Sequence, residues 1–287
     1  MTLNDFNNQK IKGYEKIVYG MSNMGGNICN TLIASFVTLY YTDNVGIAAS
    51  VVGTMLLIAR LFDAISDIAM GGIIDKTRTK WGQARPWFVV SIIPFILSTI
   101  LVFMVPENFG NTAKVIYMYV TYIFSGVICY TVNSLSAVSM QSLMTGDKKE
   151  RMGLNASYQI FGFISILAVN IITSGLAQKI GWRNIAIVYA IISAVILFIT
   201  GLVCKERRCL VVANDEGKKE EKITLREGFP VLIKNKYFYI LLVLSVINYI
   251  TINTFNAGGV YYATYVLGNG AMFGLMTIAG MLPTILL

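Results

Sequence analysis

The stretch that decides the fold is VGTMLLIARLFDAISD, residues 52–67. It belongs to an apolar run longer than the roughly 20 residues that cross a bilayer, yet it carries Arg60, Asp63 and Asp67. A charged side chain at the bilayer centre costs about 2.5–3.5 kcal/mol on insertion scales, so such residues are rare and mark functional sites. The stretch therefore predicts a membrane-spanning helix with a functional polar face.

The composition of the whole chain agrees with this prediction. Of its 287 residues, 55% are hydrophobic and 13% are charged, about half the charged fraction of soluble domains, which excludes a soluble globular protein. Long apolar runs separated by Gly, Pro and charge predict eight helices, which makes the fold an all-α multi-pass membrane protein. The predicted helices are residues 16–41, 48–74, 87–105, 113–141, 153–177, 184–204, 238–264 and 271–287.

Several function classes are excluded by missing residues. The chain has no His, and its four Cys lack CxxC spacing, so imidazole metal sites, Ser/His catalysis and a disulfide framework are not expected. It also lacks a nucleophile elbow and a phosphate-binding loop. We therefore predict no enzyme activity, and no cofactor apart from a co-transported ion.

The basic residues indicate the orientation in the membrane. The formal net charge of +8 would suggest a nucleic acid partner in a soluble protein. Here 19 of the 23 Lys and Arg lie on the side of the amino terminus, and the opposite side has only Lys114, Lys179 and Arg183. Cytoplasmic loops carry such an excess. The pattern predicts a cytoplasmic amino terminus in the cell membrane and no nucleic acid partner.

A charged segment divides the predicted helices into two groups. Residues 1–204 form a predicted six-helix bundle, residues 205–236 a charged cytoplasmic linker, and residues 237–287 the start of a second bundle. LYYTDNVG at residues 39–46 and VYYATYVLGNG at residues 260–270 are weakly similar, which fits a repeat of six-helix units. Because the last helix ends inside an apolar run, we expect a fragment truncated at its carboxyl end.

The two acids of helix 2 point to a cation site. Asp63 and Asp67 are four residues apart and share one helix face with Arg60 and Ser66. Two such carboxylates can bind Na⁺ or Li⁺ with an added hydroxyl or carbonyl, or they can share a proton. In the alternative interpretation, Arg60 neutralises one Asp in a structural ion pair. Since one Arg cannot balance two Asp, the cation site is favoured.

Uncharged polar residues recur inside the other helices. Amides, hydroxyls and aromatic rings suit a polyhydroxylated ligand, whereas small polar side chains also join membrane helices to one another. The set comprises Tyr19, Asn23, Asn27 and Asn30 on helix 1, Tyr130, Thr131, Asn133, Ser134 and Ser136 on helix 4, Tyr158 and Gln159 on helix 5, and Asn248, Asn253 and Asn256 on helix 7. We predict that such residues line a sugar site.

The loop after helix 2 contains both acidic and basic residues. It reads GGIIDKTRTKWGQARP, with Asp75, Arg78, Lys80, Gly82 and Arg85. Paired charges in a short loop can latch helix ends in one conformation. A plain positive-inside signal would need the basic residues but neither Asp75 nor the glycines. The loop therefore predicts a conformational latch.

Five motifs taken together resemble the glycoside-pentoside-hexuronide cation symporters of the major facilitator superfamily. They are YYTDNVG, VGTMLLIARLFDAISD, DKTRTKWGQARPW, YMYVTYIFSGVICYT and GDKKER, in this order along the chain. The resemblance implies a fold of twelve helices in two halves around a site that opens alternately to either side. About eight of the twelve would be present in this chain.

The resemblance also implies roles for individual residues. Asp63 and Asp67 match the family's cation-site carboxylates, Thr131 its cation-site threonine and Arg60 its helix 2 arginine, while the loop motif matches the residues of the latch. The departures lie elsewhere. Ser66 stands where the melibiose carriers of the family have Asn, and Gln159 stands where they have Arg. Asn27 and Ser134 (or Asn133) stand where those carriers have two sugar-binding Asp. A uronide or a pentoside is therefore at least as well suited as a galactoside.

The sequence thus predicts a secondary transporter that couples inward movement of Na⁺ or H⁺ to uptake of a glycoside, pentoside or hexuronide. Its expected partners are a sugar, a monovalent cation and the lipid bilayer, and the expected state is a monomer. The alternative is a non-transporting membrane sensor or scaffold that retains the fold and binds sugar in the same site.

Overall fold

The computed structural model describes residues 10–207, 235–270 and 272–286. Within them lie eight helices and no β-strand, which confirms the predicted all-α class. The helices are α1 (Gly13–Leu39), α2 (Ala49–Lys76), α3 (Arg85–Val102), α4 (Asn111–Met144), α5 (Lys148–Ile180), α6 (Trp182–Val203), α7 (Lys236–Tyr261) and α8 (Met272–Leu286). Most of the predicted linker, residues 208–234, lies outside the described residues.

Six of these helices are long and apolar enough to cross a bilayer, namely α2 to α7. The protein is therefore a multi-pass membrane protein, as predicted. The other two helices are not among these six: α1 is long enough but carries the asparagine face, and α8 has 15 described residues.

Successive helices place the loops at residues 77–84 and 145–147 at one end of the bundle, called here the amino-terminal end. The loops at residues 45–48 and 103–110 lie at the opposite end.

The predicted helix 4 is not a uniform α-helix. Its middle, Ile123–Tyr130, is a π-helix between two α-helical parts. A π turn contains an extra residue, often occurs at functional sites, and has no sequence pattern as clear as the apolar period of an α-helix.

The helix α5, which starts at Lys148, begins five residues before its predicted start, because the Asp147 side chain accepts a hydrogen bond from the backbone N–H of Lys149 at 2.8 Å.

Glycines bring α1 close to its neighbours. A Cβ atom at Gly20 would collide with the Ser157 backbone on α5, and one at Gly25 would press on Leu197 of α6. On α5, Gly162 leaves the space that the Asn23 amide occupies. Small residues of this kind allow membrane helices to approach closely. α1 therefore lies against α5 and α6 with its asparagines directed into the bundle.

The ends of α1 and α7 have the same backbone structure. Each continues into a five-residue π-helix, Tyr40–Asn44 and Tyr262–Val266. Each then turns at a glycine with positive φ, +79° at Gly46 and +68° at Gly268. The weak similarity between these two segments in the sequence therefore has a structural counterpart.

A constant offset of 222 residues relates the two segments. The Val45 N–H donates to the Tyr40 carbonyl as that of Leu267 does to Tyr262, at 3.1 Å in both cases. At the same offset, Gly46 corresponds to Gly268. The matched hydrogen bonds show that α1 and α7 end in the same way, which is what the predicted repeat requires of corresponding helices.

A cavity between α1, α2, α4 and α7 as the candidate functional site

One cavity inside the bundle has a volume of about 410 Å³, within the range of ligand sites in proteins. Side chains of α1, α2, α4, α5 and α7 line it. Nine of the predicted site residues are among them: Asn27, Asn30, Arg60, Asp63, Asp67, Tyr130, Thr131, Ser134 and Asn253. The structure thus brings residues of the predicted cation site and of the predicted sugar site to one space.

Both carboxylates of α2 face this cavity. Asp63 accepts a hydrogen bond from Arg60 at 3.1 Å and forms an ion pair with it. Asp67 has neither a hydrogen bond nor an ion pair with any residue that the structure describes. Among those residues there is also no group of three Asp, Glu, Cys or His that could bind a metal ion. A cation here would therefore need hydroxyl or carbonyl oxygens beside the two acids.

Such oxygens lie beside the carboxylates. The Ser66 hydroxyl lies 3.0 Å from the Val127 carbonyl and 3.4 Å from the Thr131 hydroxyl. Ser66 itself does not line the cavity, but it joins α2 to the π-helical part of α4. Thr131 begins the α-helical part that follows, and it lines the cavity.

Arg60 makes contacts that the sequence analysis missed. Its guanidinium donates to the Tyr249 hydroxyl at 3.3 Å and to the Asn253 side-chain oxygen at 2.9 Å. It also lies over the Tyr249 ring, 5.8 Å from the centroid. Both partners are on α7 and line the cavity. The available signal was their i, i+4 spacing in an apolar helix. Asn256, on the same predicted face, has its side chain outside the described residues.

The α1 amides form a chain towards α5. Asn27 donates to the Asn23 side-chain oxygen, and Asn23 donates to the Tyr158 carbonyl, both at 2.7 Å. A small adjoining cavity of about 10 Å³ touches Asn23, Asn27, Asn133 and Ser134, roughly the space that one water needs. Asn133 is buried and donates to the Ser91 hydroxyl at 3.0 Å.

Four of the predicted sugar-site residues with described side chains, Tyr19, Ser136, Gln159 and Asn248, line neither of these cavities. Tyr19 is completely buried, its hydroxyl donates to the Ala137 carbonyl at 3.0 Å, and its ring stacks on Tyr158. These contacts are the helix-joining role that the sequence analysis left open for such residues. Gln159 is exposed on α5. The structure therefore does not bring Tyr19 or Gln159 to the sugar side of the cavity.

The loop after α2, which was predicted to be a latch, is held by the carboxylate of Glu206, a residue outside the loop. The buried Glu206 carboxylate accepts the backbone N–H groups of Gln83, Ala84 and Arg85. These N–H groups are at the start of α3, where a helix has unpaired donors and favours negative charge. Gly82 has φ +123°, and any Cβ there would collide with the same carboxylate. Sequence reasoning missed Glu206, whose signal was a single acid in KERR after helix 6.

The predicted latch residues have other partners. Arg85 donates to the Gly201 carbonyl at 3.0 Å, and Arg78 donates to backbone carbonyls, including that of Asp75 at 3.3 Å. Lys80 is exposed. The Asp75 side chain is exposed, and no described residue forms a hydrogen bond or an ion pair with it. The predicted Asp75 charge pair is therefore replaced by the contacts of Glu206.

Glu206→Ala should lower the melting temperature of the detergent-solubilised protein by several degrees, because it leaves three N–H groups without their acceptor, a loss of about 2–3 kcal/mol. The matched control is Asp75→Ala, which removes an exposed acid at the same end of the bundle. We expect it to leave the melting temperature within about a degree of the parent. Equal melting temperatures for the two variants would contradict the proposed anchor.

Comparison with known proteins identifies the family. The family described as MFS/sugar transport protein matches residues 18–287. The chain is 31% identical over 260 residues to the isoprimeverose transporter of Lactiplantibacillus pentosus, covering 88% of this chain and 53% of that protein. It is 27% identical to the uncharacterized symporter YnaJ of Bacillus subtilis (98% and 61%) and 26% identical to the glucuronide carrier protein homolog of Escherichia coli (94% and 59%).

The chain spans between about half and three fifths of the length of these relatives. The relatives are symporters of the glycoside-pentoside-hexuronide type, as the five motifs implied. The family match covers nearly the whole chain and agrees with its helical fold. The chain therefore belongs to the MFS/sugar transport protein family of the major facilitator superfamily.

Proposed function

We propose that the protein is a secondary transporter that couples inward movement of Na⁺ or H⁺ to uptake of a glycoside, pentoside or hexuronide. The observation that carries the proposal is that Asp63 and Asp67 face the same cavity as Asn27 and Ser134. An ion and a sugar bound there would be close enough to influence each other's affinity. A non-transporting sensor with the same site is the second candidate.

The cation would bind at the carboxylates. Asp67 has an unshared carboxylate, and Asp63 shares its own with one Arg. Two acids and one base leave a formal charge of −1 on the ionisable side chains that line the cavity. A monovalent cation or a proton would neutralise this charge. Thr131 and Ser66 would supply further oxygens to Na⁺, whereas a proton would need the carboxylates alone.

The sugar would bind beside the cation against α1 and α4. Asn27 and Ser134 supply donors and acceptors, and Tyr130 supplies a ring face. Asn23 and Asn133 border the adjoining small cavity. Asn23 would position Asn27 through its hydrogen bond, and both Asn23 and Asn133 could contact the sugar through a water.

Alternating access would require α7 to move against the first six helices. The hydrogen bonds that join α7 to those helices lie at the cavity, through Arg60, and at the opposite end, where Thr42 meets Tyr261 and Asp43 meets Tyr265. With the proposed cytoplasmic amino terminus, the opposite end is extracellular. Opening the cavity to the outside would then break the two contacts at that end.

Uptake by proteoliposomes tests the proposal. The intact protein should accumulate at least one of isoprimeverose, methyl xyloside and methyl glucuronide when a Na⁺ gradient or a pH gradient is imposed, each varied independently. Sugar binding without accumulation would favour the sensor. No binding of any of the three sugars would contradict both candidates.

Gly162→Ala should weaken sugar binding about tenfold. The new methyl group would displace the Asn23 amide and thereby the Asn27 amide that it orients, and one lost hydrogen bond costs about 1–1.5 kcal/mol. Gly175→Ala is the matched control, because nothing lies within 4 Å of a Cβ at Gly175 on the same helix. Sugar affinities measured by titration would contradict the prediction if the two variants were equal.

A further inference from the structure

The wall that α7 contributes to the cavity is occupied by an arginine of the protein itself. Tyr249 and Asn253 lie one turn apart on α7, and Asn253 donates to the Tyr249 carbonyl at 2.8 Å. The Arg60 guanidinium donates to both side chains and lies over the Tyr249 ring. In this arrangement Asn253 Oδ1 already accepts a hydrogen bond from Arg60, and the guanidinium lies over one face of the Tyr249 ring.

The repeat places this wall in correspondence with the sugar side of α1. At the offset of 222 residues, Asn27 corresponds to Tyr249 and Thr31 to Asn253, and all four line the cavity. α7 therefore presents to the cavity the face that corresponds to the one that α1 presents. Two corresponding walls that face one cavity are what a ligand bound between two repeats requires.

The contacts of Arg60 on this wall are those that a sugar would make. A hydroxyl can donate to the Asn253 oxygen as the guanidinium does, and it can accept from or donate to the Tyr249 hydroxyl. The C–H face of a pyranose can lie on the aromatic ring where the cation now lies. Arg60 thus occupies the position that a sugar would need on this wall.

We propose that Tyr249 and Asn253 form the second wall of the sugar site, and that Arg60 covers this wall until a cation binds at Asp63. The inference rests on the proposed symport function. A cation at Asp63 competes with Arg60 for the carboxylate, so Arg60 loses its ion pair and leaves α7 at lower cost. Sugar then replaces it. Arg60 is a positioning residue that links cation binding to sugar binding.

The experiment measures binding of isoprimeverose, methyl xyloside and methyl glucuronide to the intact protein, with and without Na⁺ and at two pH values. Asn253→Ala and Tyr249→Ala should each weaken binding of the accepted sugar at least tenfold, while Na⁺ or proton binding in the absence of sugar is retained, which shows that the variants are folded. Tyr249→Phe keeps the ring and should recover most of the affinity. Thr251→Ala, whose hydroxyl contacts only the Ile247 carbonyl, is the matched control on α7.

To test the role of Arg60, we use a measurement that a change in folding alone would not alter, namely the ratio of sugar affinities with and without cation. Arg60→Gln should raise sugar affinity in the absence of cation, so that the ratio of affinities with and without cation falls towards one. Parental sugar affinity in Asn253→Ala and Tyr249→Ala, or an unchanged ratio in Arg60→Gln, would overturn the inference and leave the proposed symport standing. A parent that binds none of the three sugars overturns both.

Discussion

Asp63→Asn is expected to abolish cation-driven accumulation of sugar while leaving some downhill flux. The amide removes the negative charge that a cation would neutralise, and it also removes the ion pair that holds Arg60. The sugar face on α1 is unchanged, so sugar can still cross down its own gradient. Accumulation in proteoliposomes under an imposed gradient should fall to background, and efflux from preloaded vesicles should remain measurable.

The alternative, a purely structural ion pair, predicts a different result. Removing one member of an ion pair at bilayer depth destabilises a protein, because the remaining charge has no partner there. Asp63→Asn would then lower the melting temperature and the yield of folded protein, and transport per folded molecule would stay at the parental level. Asp75→Asn, an exposed acid at the end of the same helix, controls for the loss of one charge from α2. Undiminished accumulation by Asp63→Asn would contradict the cation site.

The parts of the site that could be predicted depend on local periodicity. The helical repeat alone puts residues i and i+4 on one face, so Asp63 and Asp67 had to share a surface. The length of the apolar runs was sufficient for eight helices, and it left only their ends open. The same reasoning placed Asn27 beside the cavity, since its asparagine neighbours repeat at helical spacing.

The parts that could not be predicted depend on which helices meet. Arg60 reaches across to α7, and Glu206 reaches back to the start of α3, so neither contact has a signature in the local pattern. Tyr19 is a residue that the helical pattern assigned to the sugar site but that tertiary contacts keep away from the cavity. It shares the helical spacing of the asparagines, yet the Ala137 carbonyl is close enough to bind its hydroxyl, and the ring is buried. Helical periodicity shows which residues share one face, whereas tertiary contacts decide whether that face lines the cavity or packs against another helix.

Linking residues 43 and 265 covalently should stop transport. The two positions correspond under the offset of 222 residues, and the Tyr265 hydroxyl donates to the Asp43 carboxylate. A hydrogen bond between corresponding positions lies where the two repeats meet. The neighbouring contact, Thr42 with Tyr261 at 2.8 Å, joins the same two segments. If α1 and α7 must separate at this end in each cycle, a permanent link should hold the cavity closed to that side.

The experiment combines Asp43→Cys and Tyr265→Cys with a short reducible crosslinker that reacts with thiols. Cys29, Cys129 and Cys204 are buried, so the reagent should not reach them, and Cys209→Ser removes the cysteine outside the described residues. Crosslinked protein should lose at least nine tenths of its uptake, and reduction should restore it, because only the separation of the two segments has been blocked.

A second crosslink at the same end separates this effect from general rigidity. Leu101→Cys with Tyr117→Cys joins α3 to α4 within the first six helices, at a site where the Tyr117 hydroxyl donates to the Leu101 carbonyl at 2.9 Å. If those helices form one unit, as predicted, they need not separate, so uptake should survive that link. Full uptake with residues 43 and 265 joined would mean that the two segments stay together throughout the cycle, and the extracellular opening would have to lie elsewhere.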